Sequence, residues 1–270
     1  MQRRILIIDD HDDLASATEE VFVELGHHVD IVDNREDALK IDNIEGYDLV
    51  ITDLDVGRPT KTYGKNGKQP VCLPKVESLD TTDHVKAFKI CATNYRRDEF
   101  NEDKLKELVA TVLDYKARFV DTTSIVQDLH ENIEFELPSS ISLMHIILEY
   151  LLKRVEKLGV IKSEQSNLFV ALDEAFVNAV KHGNKFDEKK MIRITAEVSK
   201  EEARFTIEDE GEGFDVHSIP DPLDPENLFK TSGRGVLFIY NIMDEVKYNE
   251  RGNRLTMVKR SEPEAVKTKG

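Results

Sequence analysis

The chain has 270 residues, 40% hydrophobic and 33% charged, which excludes a membrane-embedded or disordered protein. At roughly 150 residues per domain the length suggests about two domains. Its 53 acidic against 37 basic residues give a formal charge of −16, the wrong sign for sequence-independent nucleic-acid binding or an anionic membrane surface. Residues 1–120 hold 17 basic and 25 acidic side chains and the remainder 20 and 28, so each part carries −8. Two cysteines, Cys72 and Cys91, are too few for a disulfide scaffold or a C-x-x-C metal knuckle and fit a reducing compartment. The apolar run after Met1 is too short for a signal peptide, and no stretch approaches the ~20 apolar residues of a spanning helix. A cytoplasmic protein with neither a membrane nor a direct nucleic-acid partner is expected.

The opening alternates strand and helix signals. Residues 5–8 are a short apolar run ending in acids, which reads as a buried parallel strand. Leu14, Ala17, Val21 and Leu25 recur at helical spacing, and Gly26 closes that helix. A second strand is predicted over 28–32, a helix over 36–44, and a third strand over 48–52 that ends at Asp53. This alternation predicts a parallel sheet with covered faces. Residues 57–70, with Lys61, Lys65 and Lys68 among glycines and prolines, read as a basic loop. A strand over 71–73, a helix over 83–91 and a short strand over 94–97 follow. An amphipathic helix over 101–117 comes next, and residues 121–131 read as connector.

The second part has a different rhythm. A strand over 133–137 precedes a long helix over 140–158, which Gly159 ends, and a helix over 163–182 stopped by Gly183 and Asn184. Residues 191–198 and 203–207 form a hairpin, 211–232 a long loop, 233–242 a helix, and 244–249 with 254–258 a final hairpin. Helices packed on antiparallel strands predict an α+β sandwich.

Three segments of this second part carry chemistry. Glu174, Asn178 and His182 recur every fourth residue and share one helical stripe beside the apolar one of Leu168, Leu172, Ala175 and Ala179. An Asn carbonyl is a hard ligand suited to Mg²⁺, and a Glu one turn away can polarise a hydroxyl; the alternative is a merely polar helix face. Asp209 ends a strand before Gly211 and Gly213: it can accept a hydrogen bond from a base amino group, and the glycines let the backbone approach a ligand. Gly233, Arg234 and Gly235 run from a glycine-rich loop into a helix, whose N–H groups suit phosphate oxygens, while Arg234 or Lys230 can neutralise phosphate charge.

In this order and spacing the three segments resemble the N, G1 and G2 boxes of the GHKL ATPase superfamily, over about residues 133–260. Within it, the run from Asn178 through His182 to Gly183 resembles the anti-sigma factor serine/threonine kinases. The resemblance implies a Bergerat-type ATP site with Asn178 on Mg²⁺, Glu174 as general base and Asp209 on adenine. It places Gly211 and Gly213 beside the nucleotide, and Gly233, Arg234 and Gly235 at the phosphates under a lid of residues 214–232. It further implies phosphorylation of a Ser or Thr on a small STAS-domain antagonist and sequestration of a sigma factor. A sensor histidine kinase would need a phosphoacceptor His on a long hairpin before this domain; the local candidate, His130, sits in a short connector.

Asp9, Asp10 and Asp53 are predicted to meet at the carboxyl edge of the parallel sheet, where clustered carboxylates bind Mg²⁺ and one can accept a phosphoryl group. Residues 3–117 resemble the receiver domain of response regulators, which marks Asp53 as phosphoacceptor and Asp9 and Asp10 as metal ligands. Three receiver features depart, the first being a span from Asp53 to Val71 too short for the usual third helix. Asp98, Glu99 and Phe100 stand where Lys-Pro-Phe is usual, and the switch hydroxyl falls near Lys75 or Val76. Lys61, Lys65 or Lys75 is left to substitute for the missing lysine, so active receiver and degenerate docking module both stay open.

The expected architecture is a doubly wound, receiver-like (flavodoxin-like) α/β domain over 1–117, a linker over 118–132, an α+β GHKL domain over 133–260 and a flexible tail over 261–270. The expected function is a receiver-like domain controlling an ATP- and Mg²⁺-dependent kinase of the anti-sigma type. An upstream phosphodonor kinase and a homodimer are its further expected partners. The alternatives are a non-catalytic ATP-binding partner-switching module and a histidine-kinase-like output of a two-component system.

Overall fold

The computed structural model describes residues 2–10, 13–56, 72–74, 84–93, 102–121, 129–161, 167–216 and 234–261. Among the described residues nine strands form one sheet. β1 (Arg4–Asp9) is flanked in parallel by β2 (His28–Val32) and β3 (Leu49–Val56). β4 (His84–Ala92) runs antiparallel to β3, and β5 (Leu129–Pro138) parallel to β4. β6 (Met191–Val198), β7 (Glu202–Asp209) and then β9 (Arg254–Arg260) and β8 (Glu245–Tyr248) extend it antiparallel, for the order β2-β1-β3-β4-β5-β6-β7-β9-β8.

The main helices lie in a row on one face of this sheet. They are α1 (Asp13–Glu24), α3 (Glu102–Tyr115), α4 (Ile141–Lys157), α5 (Leu168–Asn178) and α6 (Arg234–Ile242), each packed on the next. Their apolar faces and those of the strands form one core that runs from Ile5 and Phe22 through Phe88 and Ile147 to Met257. In α4, Ser140 caps the N-terminus by accepting the Leu143 N–H, and seven apolar side chains point inward, each worth roughly 1.5–3 kcal/mol of burial. A smaller core on the opposite face joins Leu6, Ile8, Val50 and Leu54 to Ala38 of α2 (Arg35–Ala38), Ile44 and Tyr47. Cys72 and Cys91 meet in it as free, buried thiols. Among the described residues no helix is long and apolar enough to cross a membrane.

The hairpins, α1, α3, α4 and α6 fall where the periodicity predicts them; the first part differs in five ways. Residues 83–91, predicted as a helix, form the central strand β4. Both its faces are covered, so Val85, Ala87 and Cys91 are buried on one side and Phe88, Ile90 and Ala92 on the other, and no alternation survives in the sequence. Lys86 and Lys89, three apart, imitate a polar helical stripe; Lys89 is buried with Glu134, 3.3 Å from its Oε2. The predicted helix over 36–44 shrinks to the single turn of α2 plus a 3₁₀ turn at Ile44–Gly46, and Cys72 and Leu73 are turn rather than strand. The expected linker over 118–132 is structured at both ends: α3 continues as a π turn, Lys116–Val120, and β5 begins at Leu129. Parallel pairing of β4 with β5 then joins the two expected domains in one sheet. The antiparallel β3–β4 pair departs from the all-parallel sheet expected of a receiver. The strand predicted over 94–97 lies outside the described residues.

Candidate functional site

Helix α5 buries Leu168, Ala171, Leu172, Ala175 and Phe176 and leaves Glu174 and Asn178 half-buried on the neighbouring stripe. It does not continue as an α-helix. Residues Ala179–Gly183 form a π turn, closed by the Asn184 N–H donating to the Ala179 carbonyl at 2.8 Å. Such a turn inserts one residue into the helical ladder and is frequent at functional sites. Asn178 and His182 still line the same cavity, of about 270 Å³, across from Asp209.

The opposite wall is the end of β7 and the β8–β9 hairpin. Close approach accounts for the glycines. A Cβ on Gly183 would collide with the Asp209 carboxylate, one on Gly211 with the Gly183 carbonyl, and one on Gly213, at φ 77°, with the Arg251 carbonyl. Asp209 Oδ1 accepts the Gly211 N–H at 2.8 Å. Burial raises the Asp209 carboxyl above its ordinary range, with that N–H working against the rise. Phe214 and Tyr248 stand edge to face at 5.3 Å and form one apolar end. Burial, with Tyr240 and Glu174 nearby, pushes the Tyr248 hydroxyl up to about 12. One helical turn before Asn178 the Glu174 carboxylate packs against Gly235, where any Cβ would strike it. One side therefore supplies a carboxylate and a carboxamide, and the other an acceptor set in apolar walls. That arrangement suits a molecule with an amino-bearing aromatic base and a polar, charged end.

The histidine kinase-like ATPase domain family matches residues 137–259. Serine-protein kinase RsbW of Staphylococcus epidermidis is 30% identical over 153 residues, covering 54% of this chain and 96% of that protein. The chain belongs to the RsbW family. RsbW of Staphylococcus aureus strain JH9 is 28% identical over the same share of each chain. The crystal structure of the RsbU and RsbW domains of Rv1364c from Mycobacterium tuberculosis covers 48% of this chain and 32% of that one, at 16% identity and a TM-score of 0.34, too slight a likeness to carry an argument.

The RsbW-like part thus brings Glu174, Asn178, His182, Asp209, Gly211, Gly213 and Gly235 to one place. Arg234 opens α6 beside them, while Lys230 and Gly233 lie outside the described residues. His130, the histidine-kinase candidate, sits partly buried in β5 opposite Val85, not on a dimerising hairpin. Phe214, Tyr248, Asn184 and Asn253 were not among the predicted site residues; single asparagines and aromatics have no local signature.

The part before the RsbW match arranges its acids differently from the expected metal cluster. Asp9 and Asp53 pair across β1 and β3, but β3 runs on to Val56, so Asp53 lies inside the strand and is 2% exposed. Asp9 Oδ2 accepts the N–H groups of Leu14 and Ala15 and so caps α1. Both Asp10 oxygens turn to the Asp55 N–H. Among the described residues no group of three or more His, Cys, Asp or Glu side chains is placed to hold a metal ion. The cation facing Asp53 is Lys116, from the π turn, at 2.7 Å; Lys61, Lys65 and Lys75 lie outside the described residues.

Proposed function

We propose that the chain is an ATP-dependent serine/threonine protein kinase of the anti-sigma type, acting on a hydroxyl of a STAS-type antagonist and holding a sigma factor in the alternative complex. The observation that carries this reading is the convergence of Asn178, His182, Asp209 and Gly213 on one cavity, with Glu174 one helical turn before Asn178 and against Gly235. Adenine fits between the Phe214–Tyr248 end and Asp209, whose ionised carboxylate accepts from the exocyclic amino group. The phosphates then extend toward Asn178 and the N-terminus of α6, whose N–H groups suit anionic oxygens.

The residues fit Mg²⁺ through the Asn178 carboxamide oxygen, which lines the cavity, and the ion would there offset phosphate charge. Glu174 takes the proton of the substrate hydroxyl as its oxygen bonds to the γ-phosphorus and the bond to ADP breaks. Gly235 leaves the space in which that carboxylate rests.

In this reading the N-terminal part acts on the kinase through the shared sheet and the buried ion pairs around Lys116, in a cytoplasmic setting. Labelled ATP, the purified chain and candidate STAS proteins test the proposal. Transfer by wild type that falls roughly 10²–10⁴-fold in Glu174→Gln, with ATP binding kept, supports it. ATP binding with no transfer in either form leaves a non-catalytic partner-switching module instead.

A further inference from the structure

The peptide unit that joins Asp209 to Glu210 is held from both sides by buried carboxamides. Its N–H donates to Asn184 Oδ1 at 2.8 Å, and its C=O accepts from Asn253 Nδ2 at 2.8 Å. Asn184 is 0% and Asn253 6% exposed. Each carboxamide is used at its other end as well. Asn184 Nδ2 donates to the Met191 carbonyl at 3.0 Å, and Asn253 Oδ1 accepts from Asn249 Nδ2 at 3.0 Å. These partners fix which end of each carboxamide is oxygen.

Strand pairing explains the arrangement. The ladder of β7 with β6 ends at the Ile192–Asp209 pair, and its ladder with β9 ends at Glu208–Arg254. One residue further, the Asp209–Glu210 peptide lies past the end of both ladders. Asn184 bridges it to Met191 on the β6 side, as a ladder bond would. Asn253 does the same on the β9 side, where its own carbonyl also accepts the Asp209 N–H at 3.0 Å. Fixing that peptide plane fixes the direction in which the Asp209 side chain leaves the backbone, and the Gly211 N–H then holds its carboxylate.

We infer that Asn184 and Asn253 are positioning residues for base selection, a clamp that aims the Asp209 carboxylate at the amino group of adenine. This rests on the nucleotide reading above and adds the residues that make it selective. A group that acts only through Asp209 matters for a base with an amino group and not for one without. A purely structural group weakens both alike.

The test measures calorimetric Kd values of the full chain for ATP and for purine riboside 5′-triphosphate, which lacks the 6-amino group. Asn184→Ala and Asn253→Ala are expected to weaken ATP roughly three- to tenfold and to leave the amino-free nucleotide unchanged. Asp209→Ala shows the same selectivity with a larger loss. If the alanine variants do not fold, Asn253→Asp keeps the shape, replaces the donor with an acceptor facing the Asp209 carbonyl, and is expected to lose the same selectivity. Equal weakening of both nucleotides, no weakening of either, or failure of every variant to fold overturns the clamp. A wild-type chain that binds neither nucleotide overturns the nucleotide reading itself; wild-type binding with an unchanged ratio in the variants overturns the clamp alone.

Discussion

Lys116 Nζ lies 2.7 Å from Asp53 Oδ2 and 3.1 Å from Asp121 Oδ1, with all three side chains buried. The cluster continues into the RsbW-like part. Asp121 accepts from the Tyr150 hydroxyl at 3.2 Å and faces Arg154 at 3.3 Å, and Arg154 Nε donates to Glu131 at 2.9 Å. The ammonium also sits 4.8 Å over the Phe88 ring. Burial opposes the charge on Lys116, but Asp53 and Asp121 outweigh it and hold its pKa above the ordinary lysine range. A chain of charges thus links β3 and the π turn to β5 and α4.

Removing the cation leaves two buried carboxylates without it. Lys116→Met is expected to cost about 3–5 kcal/mol in urea unfolding, and Asp53→Asn in the same background to restore part of it. A raised lysine pKa stabilises fully below the unfolded value of about 10.4 and is lost only as pH rises through the folded one. The Lys116 charge itself therefore contributes evenly up to about pH 9. Burial already raises the Asp53 carboxyl beside Lys116 and raises it further in Lys116→Met, so the deficit should grow as pH rises from about 4. A loss under about 1 kcal/mol would show that the cluster contributes little.

Asp53 is 2% exposed and ion-paired with Lys116, which shields its carboxylate from a small phosphodonor. Incubation with acetyl phosphate is expected to leave the chain unlabelled. Labelling that disappears in Asp53→Ala would mean that the cluster opens in solution and that the receiver chemistry is retained.

Gly235→Ala separates packing from catalysis. The new methyl meets the end of the Glu174 side chain, which can move aside, and alanine favours a helix over glycine by up to ~1 kcal/mol. The melting temperature should hold or rise while phosphotransfer falls on the order of 10²-fold, because the base is displaced. Unchanged transfer would remove Glu174 from the role of base.

Asp209 carries the opposite sign to Lys116 at neutral pH. Burial raises its carboxyl, so the folded state favours the neutral acid; that contribution is present below the unfolded pKa near 4 and lost as pH rises through the folded value. The ionised group therefore destabilises the empty protein at pH 7. Asp209→Asn is expected to melt higher at pH 7, to lose that advantage below about pH 4, and to bind ATP more weakly. Equal melting of the two forms at pH 7 would refute the cost assigned to the charge.

The site was legible wherever one local period carried it. Glu174 and Asn178 stand four apart on a helix, Asp209 ends an alternating strand, and the glycines follow it at once, so short-range geometry already places each chemical group on its element. The hairpins and α4 were legible for the same reason, since each has one buried and one exposed side. β4 was not, because burial on both faces erases the alternation that marks a strand.

Sequence by itself determined that this protein has an acidic second part built of helices on hairpins, with a carboxylate, a carboxamide and glycines spaced for a nucleotide. Only the tertiary structure decided what those groups rest on. Lys116 reaches Asp53 across 63 residues, and Asn253 reaches the Asp209 carbonyl across 44. Contacts at such separations leave no periodic trace, because they depend on which strands the sheet sets side by side. The same holds for β4 beside β5, which makes two expected domains one sheet. The acidity is divided likewise: Asp209 faces the cavity, while Asp9 caps a helix and Asp53 holds a buried lysine.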